Sequence, residues 1–475
     1  MGWLILISSL TSFNFLLTRS NPGIYQNHPV GVHLYLCNQP INYSTNQVYL
    51  PNLPTMTILV KQARIVCTGS PYQGQTVDIL VVDGNLSKIS PAIDAQADRI
   101  ISYPGLHVSI GWFDLFAHFG DPGLEHKETL ETGASAAAAG GFTDVLLVPN
   151  TQPALFSKSQ IEYVVNKGHS LPVSIHPMGC ITRQAEGKEL AEMYDMHHSG
   201  AIAFSDGTQP VQKAGMLSKA LQYVKTTGSP VIQVPDEQSL SLTGLINEGI
   251  TSTRLGLPGK PALAEELMIA RDIELLRYTG STLHITGIST RKAVELIRAA
   301  KKEGLNLTAS VTPYHLKFTE EDLGTYDTNL KVNPPLRTAD DVAALREAIN
   351  DGSIDCIASH HLPQHWDDKT CEFEYAKYGA TGLESLFGAA RPHFQDLNRF
   401  IDMLTKAPRQ ILRLPVPDIR EGEKACLTLF APDESYTFTD TMRRSKSANN
   451  PFTGKQLTGK PLGIIHKNQT TFTVS

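Results

Sequence analysis

At 475 residues the chain exceeds one ordinary domain, leaving room for two or three units or for one large barrel with additions. Hydrophobic residues at 41% and charged residues at 19% fit a soluble globular protein with a sizeable core. With 41 Lys+Arg against 47 Asp+Glu, a net charge of −6 and no long basic run, the composition argues against a nucleic-acid surface.

Six cysteines, Cys37, Cys67, Cys180, Cys356, Cys371 and Cys426, are scattered with no C-x-x-C pair. Free thiols in a reducing, cytoplasmic compartment are expected, not a disulfide framework or a structural zinc. Trp3 to Leu17 is apolar with polar interruptions, but no positive charge precedes it as an export signal requires. Residues 20–55 carry Asn, Pro and Tyr without period and read as loop or disorder. A strand pattern starts at Met56. Residues 1–55 are therefore expected to be an extension from a spurious upstream start, with Met56 the initiator; an export signal or a functional extension are the alternatives. No other stretch is long and apolar enough to span a membrane, so no membrane partner is expected.

Residues 56–103 alternate short β-rich runs with turn signals and read as antiparallel strands. From Gly105 apolar runs alternate with helical stretches, the pattern of repeated βα units. Strands are predicted over His107 to Leu115, Thr143 to Val148, Pro172 to His176, Ala201 to Phe204, Pro230 to Val234, Thr282 to Thr286, Asn306 to Val311 and Ser353 to Ala358. Helices are predicted over Lys127 to Ala139, Lys213 to Lys225, Ala262 to Tyr278 and Thr290 to Lys302. Eight such units fit a TIM (β/α)8 barrel over residues 105–414. Short β runs return after Pro415, and residues 415–475 are expected to join 56–104 in a small flanking β domain. The run Ser135 to Gly141 reads as close helix–strand packing; it lacks the Lys-Ser/Thr of a phosphate loop. His176 and His284 lie within strands and read as core.

Chemistry in such a barrel sits at the C-terminal strand ends. Those ends carry Asp121-Pro122-Gly123 with Glu125-His126-Lys127-Glu128, then Pro149-Asn150-Thr151-Gln152-Pro153, then Asp327-Thr328-Asn329-Leu330-Lys331-Val332-Asn333-Pro334-Pro335-Leu336-Arg337. As a set these motifs are highly specific. From about Met56 to Gly463 the chain resembles a dihydroorotase of the class I type, in the cyclic amidohydrolase superfamily.

The resemblance implies a metal-bound hydroxide that attacks the ring amide of dihydroorotate. A zinc centre lowers the pKa of bound water to about 7 and needs neutral imidazoles and carboxylates already aimed at the metal. Here the ligand positions depart from the family. Its H-x-H is matched by Phe116-Ala117-His118, and its substrate-binding arginine by Gly120. The carboxylate after strand four is matched by Gly207 in an ungapped reading, or by Asp206 after a one-residue shift. The histidines ending strands five and six are matched by Val234 and Gly287, and the aspartate ending strand eight by His360. Phe, Val and Gly offer no donor, so a degenerate metal site without cofactor is expected. On the substrate side Asn150, Asn333 and His361 still match; Asn150 and Asn333 also suit tight Pro-containing turns for backbone reasons.

Three functions follow from this reading. The first is a non-hydrolytic homologue: in some bacteria inactive dihydroorotase-like chains assemble with aspartate carbamoyltransferase and are needed for its quaternary structure. The second is an active cyclic amidohydrolase with a zinc site rebuilt around His118, Asp206, His360 and His361; a grouping of His118 with His360, His361 and His365 is a variant of it. The third is a protein that binds a pyrimidine-like ligand. A homo-oligomer is expected in any case.

Overall fold

The computed structural model describes residues 56–472 apart from residue 242. The extension assigned to residues 1–55 lies outside the described residues. From Trp112 onward, apolar runs buried on both faces alternate with helices, the arrangement of parallel strands that helices cover. The barrel strands are β1 Trp112–Ala117, β2 Phe142–Leu147, β3 Ser174–Gly179, β4 Ala203–Phe204, β5 Val231–Gln233, β6 Leu283–Thr286, β7 Leu307–Val311 and β8 Cys356–Ile357. Each pairs in parallel with the next in sequence order. First and last meet at a parallel bridge between Ala117 and His361, where the His118 N–H donates to the His361 carbonyl at 2.8 Å. This is the TIM barrel that the sequence predicts.

The seam between β1 and β8 is fastened by Asp114. Its buried carboxylate accepts from the Ser359 N–H at 2.6 Å and the Ser359 hydroxyl at 2.8 Å. A carboxylate without such donors would be costly at this depth.

One element differs from its predicted bounds in a way that matters. The strand expected from His107 to Leu115 breaks at Gly111. His107–Ile110 pairs with Leu427–Thr437 and with Thr57–Ile65 in a separate sheet, and only Trp112 onward enters the barrel. Gly111 passes so close to β2 that a Cβ there would lie 2.0 Å from Thr143 Oγ1. Glycine is needed at such a crossing. The last predicted strand, from Ser353 to Ala358, is shorter than expected because Asp355 turns its carboxylate to Lys301 and the Ala309 N–H.

The second sheet joins strands from both ends of the described chain, running from Gln469–Phe472 through Gln456–His466, Leu427–Thr437, His107–Ile110 and Thr57–Ile65 to Thr76–Val82 and Asn85–Ser90. Its core includes Ile58, Val60, Ile79, Val108, Leu427 and Ile465.

The helices follow local rules. Leu130–Ala139 starts at Thr129, whose side chain accepts from the Thr132 N–H. Its small residues allow close approach: a Cβ on Gly133 would lie 2.4 Å from the Phe119 ring. Arg291–Lys302 is capped by Thr290 and buries Ala293, Val294 and Ile297 while its basic residues face outward. Among the described residues no helix is long and apolar enough to cross a membrane.

Candidate functional site

The C-terminal strand ends open on a cleft of about 620 Å³. Phe116, at the end of β1, and Val234, just past β5, give it apolar surface. Phe116 stacks on the His360 ring with centroids 4.4 Å apart and planes inclined at 26°. His360 follows β8 with a left-handed backbone, φ 45°, and its Nε2 hydrogen-bonds Thr286 Oγ1 at 2.8 Å. Gly287, just past β6, lies against this ring; a Cβ there would stand 2.5 Å from His360 Cε1. The ends of β1 and β6 thus pack around the imidazole that follows β8. Burial pushes His360 down to about 3, and the nearby His315 and His284 add to the effect.

His118 lines the cleft beside them. Its Nε2 donates to the Asn150 carbonyl at 2.6 Å, so Nδ1 is the acceptor of the neutral ring; that atom is buried with no hydrogen-bond partner. Burial pushes His118 down to about 4, against the pull of the Asn150 carbonyl. The Asn150 side chain is itself engaged, donating to the Asp206 carbonyl at 3.0 Å and accepting from the Thr208 N–H at 2.8 Å. Gly207 makes room for it, since a Cβ there would lie 1.8 Å from Asn150 Oδ1. Asn150 therefore ties the β2 loop to the β4 loop while lining the cleft.

Asp206 turns the other way. Its carboxylate accepts from the Thr182 N–H at 2.9 Å and the Thr182 hydroxyl at 2.5 Å, and it lies outside the cleft lining. Burial pushes Asp206 up to about 6, while the Thr182 hydrogen bonds act to lower it.

On the opposite wall Asn333 Oδ1 accepts from Lys260 Nζ at 2.6 Å, and Asn333 Nδ2 donates to Asp236 at 3.3 Å. Lys260 and Asp236 form a buried ion pair at 2.7 Å. His361 Nδ1 accepts from the Gly382 N–H at 3.2 Å, which leaves the ring proton on Nε2, 3.5 Å from the Glu128 carboxylate. His365 is not part of this group; its ring neighbours His126 and Trp366. His176 and His284 are hydrogen-bonded within the sheet, to Asp144 and to Thr308 and Ser310.

The family model described as Dihydro-orotase-like matches residues 106–293. A dihydroorotase of Pelotomaculum thermopropionicum is 40% identical over 418 residues, covering 86% of this chain and 97% of that one. A dihydroorotase of Geotalea daltonii is 39% identical over 412 residues, covering 85% and 96%. The chain belongs to the dihydroorotase family. In fold it is similar to the L-hydantoinase (dihydropyrimidinase) from Arthrobacter aurescens, with a TM-score of 0.75 at 24% identity, covering 87% of this chain and 95% of the other.

The dihydroorotase pattern places a zinc centre at these strand ends. Phe116, Val234 and Gly287 bring no donor to it, and His360 fills the space beside Gly287. Of the rebuilt site expected from His118, Asp206, His360 and His361, the three histidines line the cleft while Asp206 is turned to Thr182; His118 Nε2 is engaged by the Asn150 carbonyl and His360 Nε2 by Thr286. Among the described residues no group of three or more His, Cys, Asp or Glu is placed to hold a metal ion. Two buried nitrogens of the cleft lining, His118 Nδ1 and His361 Nε2, have no hydrogen-bond partner, and of these His118 Nδ1 is the acceptor.

Sequence reasoning missed the Lys260–Asp236–Asn333 wall. Lys260 arrives on a two-stranded insertion, Ile246–Asn247 with Gly259–Lys260, and nothing in its local sequence pairs it with Asp236. It also passed over Lys127 and Lys331, although both stand inside the motifs that carried the resemblance and both line the cleft.

Proposed function

We propose that this chain is a non-hydrolytic member of the dihydroorotase family that serves pyrimidine biosynthesis through binding and assembly. One observation carries the reading: the His360 imidazole is packed between Phe116 and Gly287, where the family's pattern places metal ligands. Without donors there is no activated water, and bulk water is too weak an acid to supply the nucleophile. The test is metal analysis of the purified protein beside a dihydroorotate hydrolysis assay with added zinc. Substoichiometric zinc and no turnover are expected; zinc-dependent turnover overturns the reading.

An active dihydroorotase is the second reading, favoured by the names of relatives about 40% identical over nearly their whole length. It requires stoichiometric zinc that survives dialysis and is lost on His360→Ala.

Assembly with aspartate carbamoyltransferase is the partnership that the family resemblance suggests. It is consistent with the outer helix Leu263–Thr279, which exposes Leu263, Leu267 and Tyr278. Light scattering on the mixed proteins is expected to show a particle heavier than either alone. Two unshifted species at micromolar concentration would exclude that partner and leave a homo-oligomer.

A further inference from the structure

The cleft carries two lysines whose charge no carboxylate salt bridge neutralises among the described residues. Lys127 reaches Gln364 Oε1 at 2.8 Å, and Gln364 Nε2 in turn donates to the Tyr378 carbonyl at 2.6 Å. Lys331 lies over the Tyr378 ring at 5.3 Å and donates to the Phe373 and Glu374 carbonyls at 2.7 and 3.0 Å. Both ammoniums line the same cleft, joined through Gln364 and Tyr378, and neither forms a salt bridge with a carboxylate. Of the other charges there, Asp236 is paired with Lys260 and Lys377 with Asp368, while Glu374 is an exposed carboxylate whose charge acts on Lys331. Two such cations match a dianion better than a monocarboxylate.

The anion site that the family resemblance implies is closed here. Gly120 has φ 69°, and a Cβ on it would lie 2.7 Å from the Leu124 carbonyl, so no arginine fits. Two buried lining nitrogens lack a hydrogen-bond partner: His361 Nε2, which carries its proton, and His118 Nδ1, an acceptor flanked by the apolar surface of Phe116 and Val234. An acceptor of this kind calls for a ring N–H. A cleft of about 620 Å³ has room for a ligand well beyond a single ring.

We propose that the cleft binds a phosphomonoester carried on a flat ring with an N–H donor, a ligand of the nucleoside-monophosphate class. Its phosphate rests on Lys127 and Lys331, and its ring lies on Phe116 with the N–H directed to His118 Nδ1. A phosphate monoester brings nearly two negative charges and several acceptor oxygens to the two ammoniums. The neutral, apolar floor accepts the ring without the cost of burying an unpaired charge.

The proposal rests on reading the cleft as a binding site, and its test is independent of hydrolysis. Uridine 5′-monophosphate, uridine and orotate are titrated by calorimetry into the full chain in chelator-treated buffer. The monophosphate is expected to bind at least about tenfold more tightly than either of the others, the effect of charge-assisted contacts to its phosphate. Lys127→Met is expected to weaken the monophosphate by about tenfold and leave uridine unchanged, while Lys127→Arg retains the affinity. Melting without ligand checks that each variant is folded. No binding of the monophosphate, equal binding of uridine or orotate, or indifference to Lys127→Met would overturn the proposal. If the monophosphate binds and zinc-dependent hydrolysis is also found, the non-hydrolytic reading fails and this one stands. If neither is found, the reverse holds.

Discussion

Gly287 and His360 show how one missing side chain and one gained ring depend on each other. His360 has its ring against the position where a Cβ on residue 287 would sit, at 2.5 Å, and Gly287 itself has φ 75°. Gly287→Ala therefore meets both overpacking and left-handed strain, at about 1–3 kcal/mol. In a His360→Ala background the packing part disappears and only the backbone part remains. Urea unfolding of the two single variants and the double is expected to show a smaller Gly287→Ala penalty in that background; equal penalties would mean that the two residues are not coupled. The same geometry explains why restoring Phe116→His alone is expected to give no turnover. A new imidazole there has no ligand at 234 or 287 to share a metal with.

The elements at the C-terminal side of the barrel hold buried imidazoles as neutral bases. Burial pushes His284 on β6 down to about 3, His315 after β7 to about 4 and His360 after β8 to about 3. Their folded pKa values lie below the unfolded value of about 6.5. As pH falls the unfolded chain takes up protons first. The stability these groups contribute is full above about pH 6.5 and is lost down to about pH 4 for His315 and about pH 3 for His284 and His360, at up to about 1.4 kcal/mol per unit for each imidazole. A fall in unfolding free energy across that window is expected, and His315→Gln should make it shallower. A flat profile would place these rings in contact with water.

Loops are held by the same kind of element-level wiring. Arg337, the last residue of the longest motif, is buried with Glu265 at 3.4 Å and donates to Asn247 Oδ1 at 2.7 Å and to the Ser289 hydroxyl at 3.0 Å. Glu265 also accepts from the Ser289 and Thr290 N–H groups, which pins the loop after β6. Arg337→Leu leaves that carboxylate buried without its cation and is expected to cost about 3–5 kcal/mol. A change below about 1 kcal/mol in denaturant unfolding would show that backbone donors alone suffice.

At the scale of the whole molecule, the barrel closes on its own hydrogen bonds and apolar packing. Ala117 bridges to His361, Asp114 binds Ser359, and Phe116 covers His360 where the family's pattern places metal ligands. The purified protein is expected to carry well under one zinc per chain and to melt at the same temperature with and without a chelator. A drop of several degrees on chelation would reveal a structural metal.

The barrel and its order of strands were legible in the sequence because each βα unit repeats its apolar period within about 30–40 residues. So was the absence of a metal-donor atom in the side chains at Phe116, Val234 and Gly287, which residue identity alone decides. The break at Gly111 was not legible, because the apolar run continues through it and only the approach of Thr143 forces the chain into a second sheet. Nor was the direction of the polar side chains. Asn150 and Asp206 look equally available in sequence, yet one reaches across to Thr208 and the other turns back to Thr182. Lys260 meets Asp236 and Asn333 only once its two-stranded ribbon packs behind them, and Lys127 and Gln364 are brought together by barrel closure. Local periodicity sets elements because it acts over one turn or one strand. Pairings between residues far apart in the chain are set by which donors and acceptors the closed barrel leaves facing each other.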